Sequence, residues 1–262
     1  MSAARGWLPA ALMACLFLAL SAPASALAAP ELTVAAAADL SVPLQQIARA
    51  FEQQSGAKVR ISLGASGNLA TQIENGAPYD VFLSADLDYP RKLIAAHAAD
   101  AELRTYAVGR LVLWLPRQSS LDAEHRGMDV LLDPSVKKIA IANPQHAPYG
   151  RAAMAALRHF NLYEKVETRL VLGENVSQAA QFVDSGNAQA GLIALAHAMA
   201  AGMSGRYWIV PMAAYPPLNQ GAVIVSRSSQ KQLAARFLQF LRAPASLEIL
   251  RRFGFSQPGG GD

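Results

Sequence analysis

From Glu31 onward, short β-type runs alternate with amphipathic helical stretches, and no other feature limits the fold of this chain so strongly. Each helix lets the following strand return alongside its predecessor in parallel, so the alternation predicts an α/β fold built on mostly parallel sheets flanked by helices. "LTVAAAA" reads as a buried strand. The stretch "SVPLQQIARAFEQQSG" then puts Leu44, Ile47, Ala48 and Phe51 on one helical face and ends on Gly56, which suits a C-cap. "KVRISLG" and "DVFLSAD" repeat the strand pattern, with "NLATQIENGA" and "DYPRKLIAAH" as their helices.

The rhythm breaks at "YAVGRLVLWLPR", which is longer than one buried strand needs and ends at Pro116; it reads as a crossover into a second lobe. There the units resume with "KKIAIAN" and "GRAAMAALRHFNL", "ETRLVLG" and "NVSQAAQFVDSG", then "AGLIALAH". "RYWIVPM" and "GAVIVS" bring the chain back, and a last helix is interrupted near Pro244 and resumes. The expected organisation is residues 29–112 and 207–262 in lobe 1 and residues 113–206 in lobe 2, with hinges near Leu111 to Leu115 and near Trp208 to Met212. Only the closing "QPGGGD" reads as disordered.

The start of the chain carries a different message. Arg5, the apolar run "WLPAALMACLFLAL" and the small-residue sites in "ASALAA" form an export signal over residues 1–28, removed on the way to the periplasm. The run is short for a permanent membrane anchor, and Cys15 lies inside it rather than at its end, which argues against lipidation. Cys15 is the only cysteine, so the mature chain stands on its core without disulfides. About 230 residues are ample for that core and for two lobes. A formal net charge of +4 with scattered basic residues excludes a nucleic-acid face and suits a small anionic ligand.

In open α/β sheets, ligands collect beyond the carboxyl ends of strands, where helix starts present unpaired N–H groups. Four such turns stand out: Ala37-Ala38-Asp39-Leu40, Gly64-Ala65-Ser66-Gly67-Asn68, Ala147-Pro148-Tyr149-Gly150 and Gly173-Glu174-Asn175-Val176. Their small and turn-forming residues let an anion approach the backbone. Ser66 is either an N-cap or a hydroxyl donor to that anion. "GASGN" lacks the second glycine of a nucleophile elbow, and no phosphate-binding glycine fingerprint is present. His97, His125, His146, His159 and His197 never fall at metal-ligand spacing, and His146 reads as a solvent-facing loop residue. Asp80, Asp86 and Asp88 are explained by capping and turn formation.

"LTVAAAADL", "GASGNLATQIENGAPYDVFLSAD", "GRLVLW", "IANPQHAPYG" and the closing "RRFGF" resemble the periplasmic molybdate-binding proteins that serve ABC transporters, over nearly all of the mature chain. The resemblance implies a two-lobed type II binding-protein fold closing on one tetrahedral oxyanion, molybdate or tungstate. It implies no cofactor, no free metal cation, no catalysis, a membrane permease as partner, and a monomer. Carried over, the ligand loops fall on Ala38 and Asp39, on Ser66, on Tyr149 and on Val176. Some members use a tyrosine where this chain has Ala194; Tyr149 follows those that place it in the "APYG" loop, aiming a phenol and amides at the anion. Asp39 departs from the serine or asparagine of relatives. Either it turns away to cap the following helix and gives only its amide, or it accepts a hydrogen from a protonated oxyanion such as hydrogen phosphate. The alternatives are a receptor for phosphate or sulfate, and an oxyanion-ester hydrolase, for which neither a nucleophile with a base nor a metal cluster is visible.

Overall fold

The computed structural model describes residues 29–200 and 205–259, so the export signal and the last three residues of the glycine-rich tail lie outside the described residues. The first lobe opens with β1 (Glu31–Ala37), a 3-10 turn (Ala38–Leu40), α1 (Pro43–Ser55), β2 (Lys58–Gly64), α2 (Ser66–Glu74), β3 (Val81–Ser84), α3 (Asp88–Ala95) and β4 (Arg104–Gly109). The second comprises β5 (Leu111–Pro116), α4 (Ala123–Arg126), β6 (Ile139–Ala142), α5 (Pro148–His159), α6 (Tyr163–Val166), β7 (Leu170–Gly173), α7 (Val176–Asp184), β8 (Ala190–Ala194), α8 (Leu195–Ala198) and β9 (Gly205–Ile209). The chain then returns to the first lobe with β10 (Leu218–Ile224), α9 (Lys231–Leu241) and α10 (Pro244–Arg252), whose first helical residue is the helix-breaking proline.

Two five-stranded sheets result, ordered β2-β1-β3-β10-β4 and β7-β6-β8-β5-β9, so the lobes share one topology. The predicted β-α units supply the parallel pairs on β1 and β6. The sheets are nonetheless mixed, because β10 runs antiparallel to β3 and β4, and β5 antiparallel to β8 and β9. Parallel pairing needs a helical crossover; β5 and β10 arrive straight from the other lobe without one. "YAVGRLVLWLPR" is therefore two strands in different sheets, divided at Arg110. The first change of sheet falls slightly before Val112, and the second slightly after Tyr207, since β9 still pairs with β5. The chain passes between the two sheets at residues 109–111 and again at residues 210–217.

Period-two alternation in β1 separates two packed layers of the first lobe. Val34 and Ala36 face α1 and α9, while Ala35 faces α2 and α3 with Phe82 and Val223. On α1 the predicted stripe is buried, and Phe51 meets Phe237 of α9 edge to face at 5.2 Å. Burying such a ring contributes about 2 to 3 kcal/mol. One continuous core fills the second lobe, from Trp114 of β5 to Leu157 of α5 and Val183 of α7. These layers fix the carboxyl ends of β1, β2, β6 and β7, from which the four turns project.

Candidate functional site

All five residues singled out from the sequence, Ala38, Asp39, Ser66, Tyr149 and Val176, line one pocket between the lobes, together with Gly64, Ala65, Ala85, Pro148 and Asn175. Each comes from the beginning of a helix or 3-10 turn. The first N–H groups of a helix have no carbonyl partner behind them, and the helix dipole adds a partial positive charge there. Four starts converging on one point make a site for an anion even without a cation, and this lining holds no lysine, arginine or histidine.

Local sequence decides which donors remain available. Asn175 caps α7, and its side-chain oxygen takes the N–H groups of Ser177 and Gln178 at 3.0 and 3.1 Å, leaving that of Val176. Pro148 opens α5 and has no N–H, so Tyr149 supplies the first one. Gly150 lies where an added methyl would strike the carbonyl of Ala142 and the backbone of Asn143 and Pro144; it lets α5 rest on the loop that feeds it. In "APYG", then, proline, tyrosine and glycine answer three separate needs.

Ser66 is not the N-cap that serines in such turns usually are. Ala65 occupies the cap position, and the Ser66 hydroxyl oxygen accepts the N–H of Ala85 at 3.1 Å. Accepting there leaves its single hydrogen free to donate into the pocket.

Asp39 does not turn away to cap. No side-chain hydrogen bond caps the 3-10 turn or α1; the residue is 1% exposed, and neither carboxylate oxygen has a well-formed hydrogen bond. Burial pushes its pKa from 3.8 up to about 7, against the opposing pull of the nearby Tyr149 hydroxyl and Gln220 amide, which favour the charged form. The phenol of Tyr149 lies against Gly109 and Gln220 of the first lobe and faces Asp39. Burial, and then Asp39, push that phenol's own pKa well up.

Gln220 escaped the sequence reading. It is fully buried on β10, accepts the Tyr106 hydroxyl at 3.2 Å, and braces the Asp39–Tyr149 pair. A polar side chain inside the otherwise apolar "LNQGAVIV" was the available signal. Also unforeseen is the latch across the cleft. Arg151 of α5 pairs with Asp86 and donates to the Tyr89 hydroxyl at 3.2 Å, and Asn68 reaches Glu174 at 3.1 Å. Asp86 therefore does more than shape the turn before α3, where it also accepts the Tyr89 N–H at 3.2 Å. His146 is half-buried, its ring bonded to the Glu174 carbonyl at 3.0 Å. Among the described residues, no group of histidine, cysteine, aspartate and glutamate could hold a metal ion.

Residues 32–256 match the family of bacterial extracellular solute-binding proteins. The chain is 39% identical over 235 residues to the molybdate-binding protein ModA of Azotobacter vinelandii, covering 88% of this chain and 92% of that protein. It is 37% identical over 229 residues to ModA of Rhodobacter capsulatus, covering 87% and 89%. Among solved structures, the periplasmic molybdate-binding protein of Azotobacter vinelandii superposes with a TM-score of 0.82 at 37% identity, over 87% of this chain and 99% of that one.

Proposed function

The chain belongs to the ModA family of bacterial extracellular solute-binding proteins, and from that membership we propose that it captures molybdate in the interlobe pocket and hands it to an ABC permease. It is a receptor, not an enzyme. The observation that carries the reading is the convergence of three helix starts and one 3-10 turn on one lining without a cation. A dianion there is neutralised by N–H groups and dipoles, an arrangement that holds charge without a fixed counter-charge. The donors we assign are the N–H groups of Ala38, Asp39, Tyr149 and Val176, with the N–H and hydroxyl of Ser66. Molybdenum enters as the oxyanion, hydrogen-bonded through its oxygens, so no side chain ligates the metal.

Tungstate has the same charge and shape and is accepted as well, whereas sulfate is too small to reach every donor at once. Residues 1–28 direct export, and the mature protein works in the periplasm as a monomer. Calorimetric titration of the mature protein with molybdate, tungstate, sulfate and phosphate tests the assignment. One equivalent of molybdate or tungstate should bind, with a thermal stabilisation of about 4 kcal/mol at a thousandfold excess over Kd. Absence of heat and of stabilisation with molybdate would overturn it.

A further inference from the structure

Asp39 is the one carboxyl in a lining otherwise made of neutral residues. It faces the Tyr149 hydroxyl from α5 and the Gln220 amide from β10, and Tyr106 of β4 lies within electrostatic reach. Tyr215 stands behind Tyr149, with Arg110 beyond it. The helices and strand packed on the Asp39 turn are α7, α8 and β2. From α8 comes His197, whose ring meets the Ser41 hydroxyl at 3.4 Å and is neutral because burial lowers its pKa to about 4. α7 and β2 carry their ionisable residues, Asp184, Lys58 and Arg60, at the ends remote from the pocket. Among the described residues, burial and neutral donors set the state of the Asp39 carboxyl, and no cation acts on it directly.

Asp39 is 1% exposed, and two like charges brought together in so buried a place repel strongly. Protonating Asp39 removes the repulsion outright. Its cost is small, because burial has already brought the carboxyl to the edge of neutrality: about a factor of ten in affinity for each pH unit above 7. We propose that the entry of molybdate is coupled to the uptake of one proton by Asp39, so that the closed site holds the dianion beside a neutral carboxyl. The inference rests on the molybdate reading and fixes the protonation state of that same site. A hydroxyl-bearing oxyanion such as hydrogen phosphate would instead need Asp39 ionised as an acceptor, and its binding would take up no proton.

Calorimetric titration of the mature protein with sodium molybdate, in buffers of different ionisation enthalpy from about pH 6 to about pH 9, counts the protons directly. Uptake should be near zero at the acid end, where Asp39 already carries its proton, and approach one at the alkaline end. Affinity should fall there by up to about tenfold per pH unit. Asp39→Asn should bind molybdate with negligible uptake and an affinity flat across the range. Molybdate bound at the alkaline end without proton uptake, or equal uptake by Asp39→Asn and the parent, would overturn the coupling while leaving the receptor assignment intact. Failure to bind molybdate at any pH, with phosphate bound in its place, would overturn both.

Discussion

The backbone N–H of Gly67 in the first lobe donates to the carbonyl of His146 in the second at 2.8 Å. The bond ties the first turn of α2, one residue after Ser66, to the loop that leads into Tyr149. Around it lie the Asn68–Glu174 hydrogen bond and the Arg151 guanidinium, paired with Asp86 and placed 5.2 Å from the centre of the Tyr89 ring. Residues that neighbour the pocket lining in sequence thus also hold the two lobes together.

An added methyl at Gly67 would come within 2.5 Å of the Tyr89 hydroxyl and 2.9 Å of the His146 Cβ. Gly67→Ala should therefore obstruct closure at His146 and displace the Tyr89 side chain within the first lobe, while the α2 helix itself is kept, since alanine favours a helix more than glycine does. Molybdate affinity should fall at least about tenfold, equivalent to 1.4 kcal/mol. The radius of gyration by small-angle scattering should contract less on ligand addition than in the parent. Parent-like affinity and contraction would show that this contact is incidental to closure.

Much of the site was legible because each ligand turn is local: a strand run, small residues, then a helical stripe, as in "RISLGASGNLATQI". The second glycine of that turn illustrates what was hidden. Sequence alone suggests that Gly67 admits an anion, whereas the residues it admits are Tyr89 and His146, the latter far along the chain and in the other lobe. Asp39 and Tyr149 were found as lining residues, but their mutual orientation depends on Gln220 of β10, and no local periodicity encodes that encounter. The mixed character of the sheets was hidden for a similar reason. β5 and β10 look like other apolar runs, and their direction follows from which lobe the chain has just left.

Asp39 and His197 bend the pH dependence of stability in opposite directions. Burial raises the Asp39 pKa above its ordinary 3.8, so the folded state holds a proton that the unfolded chain releases, and stability is lost as pH rises from about 4 to about 7. Burial lowers the His197 pKa from 6.5 to about 4, so stability is lost as pH falls through that interval. In the ligand-free parent the two slopes largely offset each other. Asp39→Asn removes one of them, and its stability advantage over the parent should grow by about 2 kcal/mol between about pH 5 and about pH 8. Melting curves of both proteins across that range measure it, and a difference independent of pH would mean that Asp39 does not titrate there.

Tyr149→Phe separates the backbone contribution of Tyr149 from that of its phenol. If the phenol donated to the oxyanion, its loss would remove a charge-assisted hydrogen bond and weaken binding roughly ten- to hundredfold. In the structure the hydroxyl lies against Gly109, Gln220 and Asp39, and its nearness favours the charged carboxylate. Removing it should leave molybdate affinity at about pH 6 within about tenfold of the parent, because the Tyr149 N–H at the start of α5 is untouched. The Asp39 carboxyl, deprived of a donor, should hold its proton to higher pH, so the alkaline fall in affinity should begin later than in the parent. Titrations at both ends of the pH range decide between the two roles: a loss beyond tenfold at pH 6 with an unmoved alkaline limb would place the phenol on the ligand rather than on Asp39.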